Sequence, residues 1–177
     1  MISLQAAKVQ CRIEQDETAE DSYLEDIVIP GAIRNAEQIT QHRFQAADVS
    51  LTLDDLPAGA IELPWTPTRS VSEITYLDPD GIEQTLPAEA YRLDARGVLP
   101  RLRPIGAWPA TDRTPQNVTI TAAVGYEEIP PDAKIGILLL VGHLYENREA
   151  TIAGVSIAEL PLGVMDFLSP YMLRPVG

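Results

Sequence analysis

The segment Ile129-Pro130-Pro131-Asp132, followed by Ala133-Lys134-Ile135-Gly136-Ile137-Leu138-Leu139-Leu140-Val141-Gly142-His143-Leu144-Tyr145-Glu146, constrains the fold more than any other. Two prolines and an aspartate suit a first helical turn, whose amides have no intrahelical partner, and they predict a helix body over 133–149. Ile135, Leu138, Leu139, Gly142 and Tyr145 mark one face, yet Leu140, Val141 and Leu144 fall off it, so the middle is apolar nearly all round. Such a helix must be covered on two sides, in a core or against another subunit. Its apolar run from Ile135 to Val141, broken by Gly136, is far short of the ~20 residues that span a bilayer.

Helices also open the chain. Leu4 to Ile13 reads as a short helix with Ser3 as N-cap. Asp21 can cap a second, longer one, in which Leu24, Ile27, Val28, Ala32, Ala36 and Ile39 recur at helical steps. Pro30-Gly31 interrupts it; a mid-helix proline costs ~3 kcal/mol, so a kink or two helices are expected, ending near Phe44.

The middle changes period. Val49, Leu51 and Leu53 alternate, as do Ile61 and Leu63, and Val118, Ile120, Ala122 and Val124. Val71–Leu77 runs into Asp78-Pro79-Asp80-Gly81 and then Ile82–Leu86, a hairpin signal. Most prolines fall between Pro57 and Pro131, as short strands and turns require, and several strands should be edges. Trp65 and Trp108 read as apolar plugs of this β region, with an interface anchor as the alternative. After a small-residue loop at Thr151–Ser156, a short helix through Leu168 and a proline-punctuated apolar tail follow. A chain of 177 residues suits one domain, with residues 1–45 helical, 46–126 a β-rich insertion, 130–150 the long helix and 158–177 a terminal helix and arm.

Catalytic patterns are absent from the sequence: no glycine-rich phosphate loop, no Gly-x-Ser-x-Gly elbow, no His-Glu-x-x-His. One cysteine, Cys11, excludes an internal disulfide and reads as an inert thiol; with only His42 and His143 besides, a zinc site is not expected. Asp78-Pro79-Asp80-Gly81 superficially suggests a calcium loop, but β segments flank it and a turn is the simpler reading. His143, Glu146 and Glu149 share a helix face that an acid–base site would use; a hydrogen-bonded surface set, with Glu146 or Glu149 paired to Arg148 or to a strand arginine, is the plainer reading. No cofactor is called for.

The net charge is −13, which repels a nucleic-acid backbone. Glu14, Asp16, Glu17, Glu20, Asp21, Glu25 and Asp26 run without a cation; Arg92, Arg96, Arg101, Arg103 and Arg113 cluster later, among Asp94 and Asp112. These stretches are either solvated surface or patches that meet on neighbouring copies, with Glu17, Asp21 and Glu25 facing Arg92, Arg96, Arg101 and Arg103. The N-terminus has no basic flank or apolar core of a signal, so synthesis and retention in a cytoplasm, or carriage in a particle, is expected, with no membrane association.

The order of parts, with "SVSEITYLDPDG", "IPPDAKIGILLLVGHLYENREA" and "LPLGVMDFLSPYMLR", resembles the head–tail connector (adaptor) proteins of long-tailed phages, in the branch found in prophages and gene transfer agents. The most specific parts are "LLLVGHLYENRE" and the late Leu-Pro-x-Gly-Val with Pro-Tyr following; Tyr76, Asp78 and Gly81 support it. The resemblance implies an α+β fold, a small helical bundle carrying an inserted β-hairpin or small antiparallel sheet and a C-terminal arm. It implies a non-enzymatic subunit of the virion neck, made in the bacterial host's cytoplasm. About a dozen copies would form a ring between the portal protein and the tail-completion (stopper) protein, with DNA passing through unbound. The arm, with Leu160, Pro161, Leu162, Val164, Leu168, Pro170, Tyr171 and Leu173, would reach the portal, and its removal would leave a folded chain. Another tail-completion or binding module of the same particle is the alternative.

Overall fold

Residues 1–148 and 162–173 are described by the computed structural model, and they fall into two units: residues 1–44 with those from 127 onward, and Gln45–Tyr126.

The first unit is helical. Helix α1 (Leu4–Cys11) starts where expected, with Ser3 Oγ accepting the Ala6 N–H at 3.2 Å, and stops as Arg12 turns left-handed at φ 58°. The next helix begins at α2 (Asp21–Tyr23), with Glu20 at the cap position expected for Asp21. It widens into a π turn over Leu24–Val28 and continues as α3 (Ile29–Thr40). Pro30 lies at the start of that α segment. The widened turn before it absorbs a residue that can neither donate a hydrogen bond nor clear the preceding carbonyl, so the helix runs on instead of dividing. The extra residue rotates the apolar face. Leu24, Val28, Ala32, Ile33 and Ala36 are buried, whereas Ile27 is exposed.

Helix α3 ends at Thr40, short of Phe44. Thr40 Oγ1 donates back to the Ala36 carbonyl (2.7 Å), Gln41 turns left-handed, and the Glu37 carboxylate accepts the Phe44 N–H (2.9 Å) and Arg43 (3.2 Å). Helix α4 (Pro131–Glu146) is the central element. Its buried row is Ala133, Gly136, Ile137, Leu140 and Val141, while Ile135 is exposed and Leu138 and Leu139 are half-buried. Leu140 and Val141, expected off the main face, are thus among the deepest residues of the helix, while Leu144 is half-buried. All-round apolarity had left the orientation undetermined, and tight crossings at Gly136 and Gly142 fix it. A Cβ on Gly136 would stand 2.9 Å from Leu168 Cδ2, and one on Gly142 3.2 Å from the Gln10 amide. Asn147 closes α4 before the expected end at 149, its backbone and side-chain N–H groups both donating to the His143 carbonyl. Helix α5 (Leu162–Leu168) and a 3₁₀ turn (Ser169–Tyr171) complete the described part of the unit. Glu149 and the Thr151–Ser156 loop lie outside the described residues.

The second unit holds two antiparallel sheets. Strands β1 (Ala47–Leu53), β3 (Thr68–Leu77), β4 (Glu83–Thr85) and β7 (Val118–Val124) form one, in the order β1-β7-β3-β4. Strands β2 (Ile61–Glu62), β5 (Tyr91–Asp94) and β6 (Arg101–Pro104) form the other, in the order β2-β6-β5. A core of Ile61, Leu63, Ile74, Leu102, Val118 and Ile120 draws on both sheets, and Trp65 and Trp108 pack against it. Trp108 is also fastened by its indole N–H to the Gly59 carbonyl (2.7 Å). The α+β class expected from the sequence is what forms.

The hairpin lies where its turn chemistry puts it, with Leu77 paired to Glu83. Asp78 Oδ1 accepts the N–H groups of Asp80 and Ile82 (both 3.0 Å), Oδ2 accepts the Gln84 amide (2.9 Å), and Gly81 takes φ 76°. The amide of Ile82 above all, with Gln84, holds the Asp78 carboxyl below the usual range. This aspartate serves its own turn. Gly125 is required for another reason: at φ 76° its missing Cβ would lie 2.0 Å from the Gln45 carbonyl oxygen.

Candidate assembly surfaces

The acidic stretch between α1 and α2 is partly neutralised from within its own unit. Lys8, only 3% exposed, sends its Nζ to Asp21 (2.6 Å) and to the carbonyls of Glu17 (2.6 Å) and Gln15 (3.3 Å). The buried ammonium gathers the segment after α1 around itself. Asp21 is therefore engaged internally, whereas Glu14, Asp16, Glu17 and Glu25 are exposed. Glu17 also accepts the Ala19 N–H through Oε1 (3.0 Å).

A second cluster joins the start of α2 to the end of α4. The Glu20 carboxylate accepts the Tyr145 hydroxyl and the Arg148 guanidinium (2.7 and 2.8 Å), and Arg148 lies 4.6 Å from the ring centres of both Tyr23 and Tyr145. The Tyr145 hydroxyl, then Arg148, holds the Glu20 carboxyl below its ordinary range; the same bond raises the Tyr145 phenol. Arg148 is thus paired across the fold, and not with Glu146 as its sequence neighbourhood suggested.

The arginine-rich stretch lies in the β unit and is also mostly engaged. Arg101 pairs with Glu62 across β6 and β2; Arg96 (3.1 Å) and Arg103 (3.7 Å) both hold Asp94. Arg113 meets Asp55 at 3.1 Å, and Thr111 hydrogen-bonds the same carboxylate. Arg92 is exposed on β5 and makes no ion pair among the described residues.

The C-terminal segment is docked. Val164 and Leu168 are fully buried, Tyr171 donates its hydroxyl to Asp132 (2.6 Å), and the Leu173 N–H reaches the Thr40 carbonyl (3.0 Å). The Tyr171 ring meets Phe44 edge-on, with ring centres 5.3 Å apart, and His42 at 5.5 Å. Val164 and Leu168 therefore belong to the core of their own unit, and half-buried Tyr171 and Leu173 are held against it by their hydrogen bonds to Asp132 and Thr40. Pro170 and Met172 remain exposed. Leu160, Pro161 and residues 174–177 lie outside the described residues, as does the side chain of Leu162.

His143 lies at the closing turn of α4, where Asn147 meets its Nδ1 at 3.4 Å. Cys11 is half-buried; burial first, then the charges of Glu146 and Glu20, pushes its thiol up, away from a reactive thiolate. Among the described residues no group of His, Cys, Asp or Glu is arranged to hold a metal ion, and no helix is long and apolar enough to cross a membrane. Neither internal cluster had a local signal. Glu20 lies far along the chain from Tyr145 and Arg148, and Lys8 sits in a helix that reads as ordinary; only the fold brings them to their partners.

No protein-family model matches the chain, and no curated protein matches it in sequence. Solved structures do. A chain from the virion of a native gene transfer agent particle superposes with a TM-score of 0.80 at 22% identity, covering 99% of this chain and 91% of that one. A chain from the neck of an empty gene transfer agent particle, computed with C6 symmetry, gives 0.73 at 21% identity, over 99% and 91%. One from the neck of a native particle, computed with C12 symmetry, gives 0.70 at 24%, over 100% and 94%. The chain has the fold of these particle proteins over essentially its whole length, β unit included.

Proposed function

We propose that the chain is a structural subunit of the neck of a phage-derived particle, an adaptor between head and tail. The observation that carries this reading is the end-to-end match in fold to chains of gene transfer agent particles, two of them from necks. The C12 and C6 symmetries of those necks support a ring of about a dozen copies. In this reading the ring lies between the portal protein and a tail-completion protein, and the subunit assembles without catalysing a reaction. The net charge of −13 suits a channel wall from which DNA is repelled as it passes. With Val164 and Leu168 in the core, portal contact falls to the exposed Pro170 and Met172 and to the chain on either side of residues 162–173.

Deleting the gene in a producing cell is expected to yield filled heads without tails, and labelled chain restored to that cell should mark the head–tail junction in electron micrographs. Normal tailing after deletion, or label at the tail tip, refutes the adaptor; label at the junction with tails still attached points to another neck component.

A further inference from the structure

The two margins of the four-stranded sheet are unlike. Strand β1 pairs with β7 along its whole length, from Ala47↔Val124 to Leu53↔Val118, without a slip in register, and among the described residues no strand lies on its other side. It carries no proline, lysine or arginine. By contrast, β3 slips register between Thr68 and Ser70 and again between Val71 and Glu73, and the opposite margin is only the short β4. Bulges, prolines, charged side chains and brevity are means by which sheets discourage edge pairing; of these β1 has only the charge of Asp48, near its start. Its inward row is also unfinished. Val49, Leu51 and Leu53 are half-buried, while Ala122, Ile120 and Val118 directly opposite are fully buried. One more strand would complete the row and satisfy the open backbone groups.

We propose that β1 is a joint between copies of this chain, receiving strand β5 of the next copy and setting Asp48 against Arg92. The proposal rests on the neck reading above. The donor follows from charge and length. Of the other marginal strands, β4 is three residues long and carries an acid, Glu83, and no cation to meet Asp48. Strand β2 is two residues long, and its Glu62 already holds Arg101. Strand β5 is four residues long, borders the three-stranded sheet, and carries Arg92, the arginine of its stretch left without an ion pair among the described residues. Asp48 is likewise exposed and unpaired among them. Joining two different strands makes the contact heterologous, the kind that propagates from copy to copy until a ring closes.

The test replaces the gene in producing cells and counts tailed particles. Deletion should abolish tailing. Asp48→Arg and Arg92→Asp, each checked for folding by circular dichroism, should each lower the tailed yield roughly tenfold, because the weakening recurs at every joint, and the double reversal should recover most of it. Asp48→Cys with Arg92→Cys, in a Cys11→Ser background, should give a ladder of disulfide-linked multimers from oxidised particles. If deletion leaves tailing intact, the adaptor reading fails, and the joint with it. If deletion abolishes tailing but the single reversals behave as wild type, or the double is no better than either, the β1–β5 joint is wrong while the neck reading stands. Covalent dimers from Asp48→Cys alone would mean β1 meets β1 about a two-fold axis, which also overturns it.

Discussion

Truncating Leu168 to alanine separates a docked C-terminal segment from a free arm. Leu168 is 0% exposed, and it lies so close to α4 that Gly136 has no room for a methyl group beside it. The substitution loses the transfer energy of a buried side chain and leaves a cavity that the rigid α4 crossing cannot close. Together these cost about 3–5 kcal/mol. For a chain of this size, ~2–4 °C per kcal/mol turns that into a fall in melting temperature of roughly 10 °C. Urea unfolding followed by circular dichroism should show a lower midpoint with an unchanged slope. If the two units unfold in separate steps, the helical unit's transition alone should move. Met172→Ala, at a position 36% exposed, is the control and should cost less than ~1 kcal/mol. A Leu168→Ala protein within ~0.5 kcal/mol of wild type would mean that α5 does not dock in solution. By the same reasoning, a chain ending before Leu162 should lose stability, contrary to what a proline-punctuated tail suggests from its sequence.

Lys8→Met should destabilise the helical unit by about 2–4 kcal/mol in thermal melts, towards the lower end for breaking a buried pair because Asp21 keeps some contact with water. Gly125→Ala places a methyl group on the Gln45 carbonyl and forces a left-handed alanine, so the β unit should become sensitive to limited proteolysis at concentrations of protease that leave wild type intact. The Glu20 carboxyl is held below its ordinary value in the folded chain, so its contribution is present above about pH 4.3 and is lost as the pH falls through the lower folded value. Melts at neutral pH and near pH 3 should therefore differ less for Glu20→Gln than for wild type; an equal difference would remove Glu20 from the acid response.

Most of the fold was legible where periodicity and turn chemistry act locally. The Ser3 cap, the Asp78–Gly81 hairpin and the alternation in β1 and β7 each rest on residues within a few positions of one another, and each formed. The misreadings share a cause. Pro30 told of a disturbance, but whether a chain answers with a break or a π turn depends on what the helix packs against. The orientation of α4 was hidden because a helix apolar all round has no preferred face until Gly136 and Gly142 admit their neighbours. The tail looked like an arm because Leu168 and Tyr171 find their partners, Gly136, Asp132 and Phe44, only after the chain has returned to α4 and the turn that follows α3.

Runs of charge illustrate why a surface cannot be read from composition alone. Seven acids without a cation between Glu14 and Asp26 look like an unopposed patch, yet Lys8 and Arg148, one before the run and one far beyond it, take Asp21 and Glu20. Among the arginines, Arg101 spends its charge on Glu62, and Arg96 and Arg103 on Asp94. Exposed ion pairs of this kind add little to stability, about 0–1 kcal/mol each, but they lower the field that a partner would meet. A partner is recognised by what remains after such internal pairing: an unmatched charge at a place where backbone hydrogen bonds are also unmade. In the β unit those two conditions meet at strand margins. Asp48 lies on one and Arg92 on another, which makes sheet topology, more than the count of charges, the guide to where copies of this chain would join.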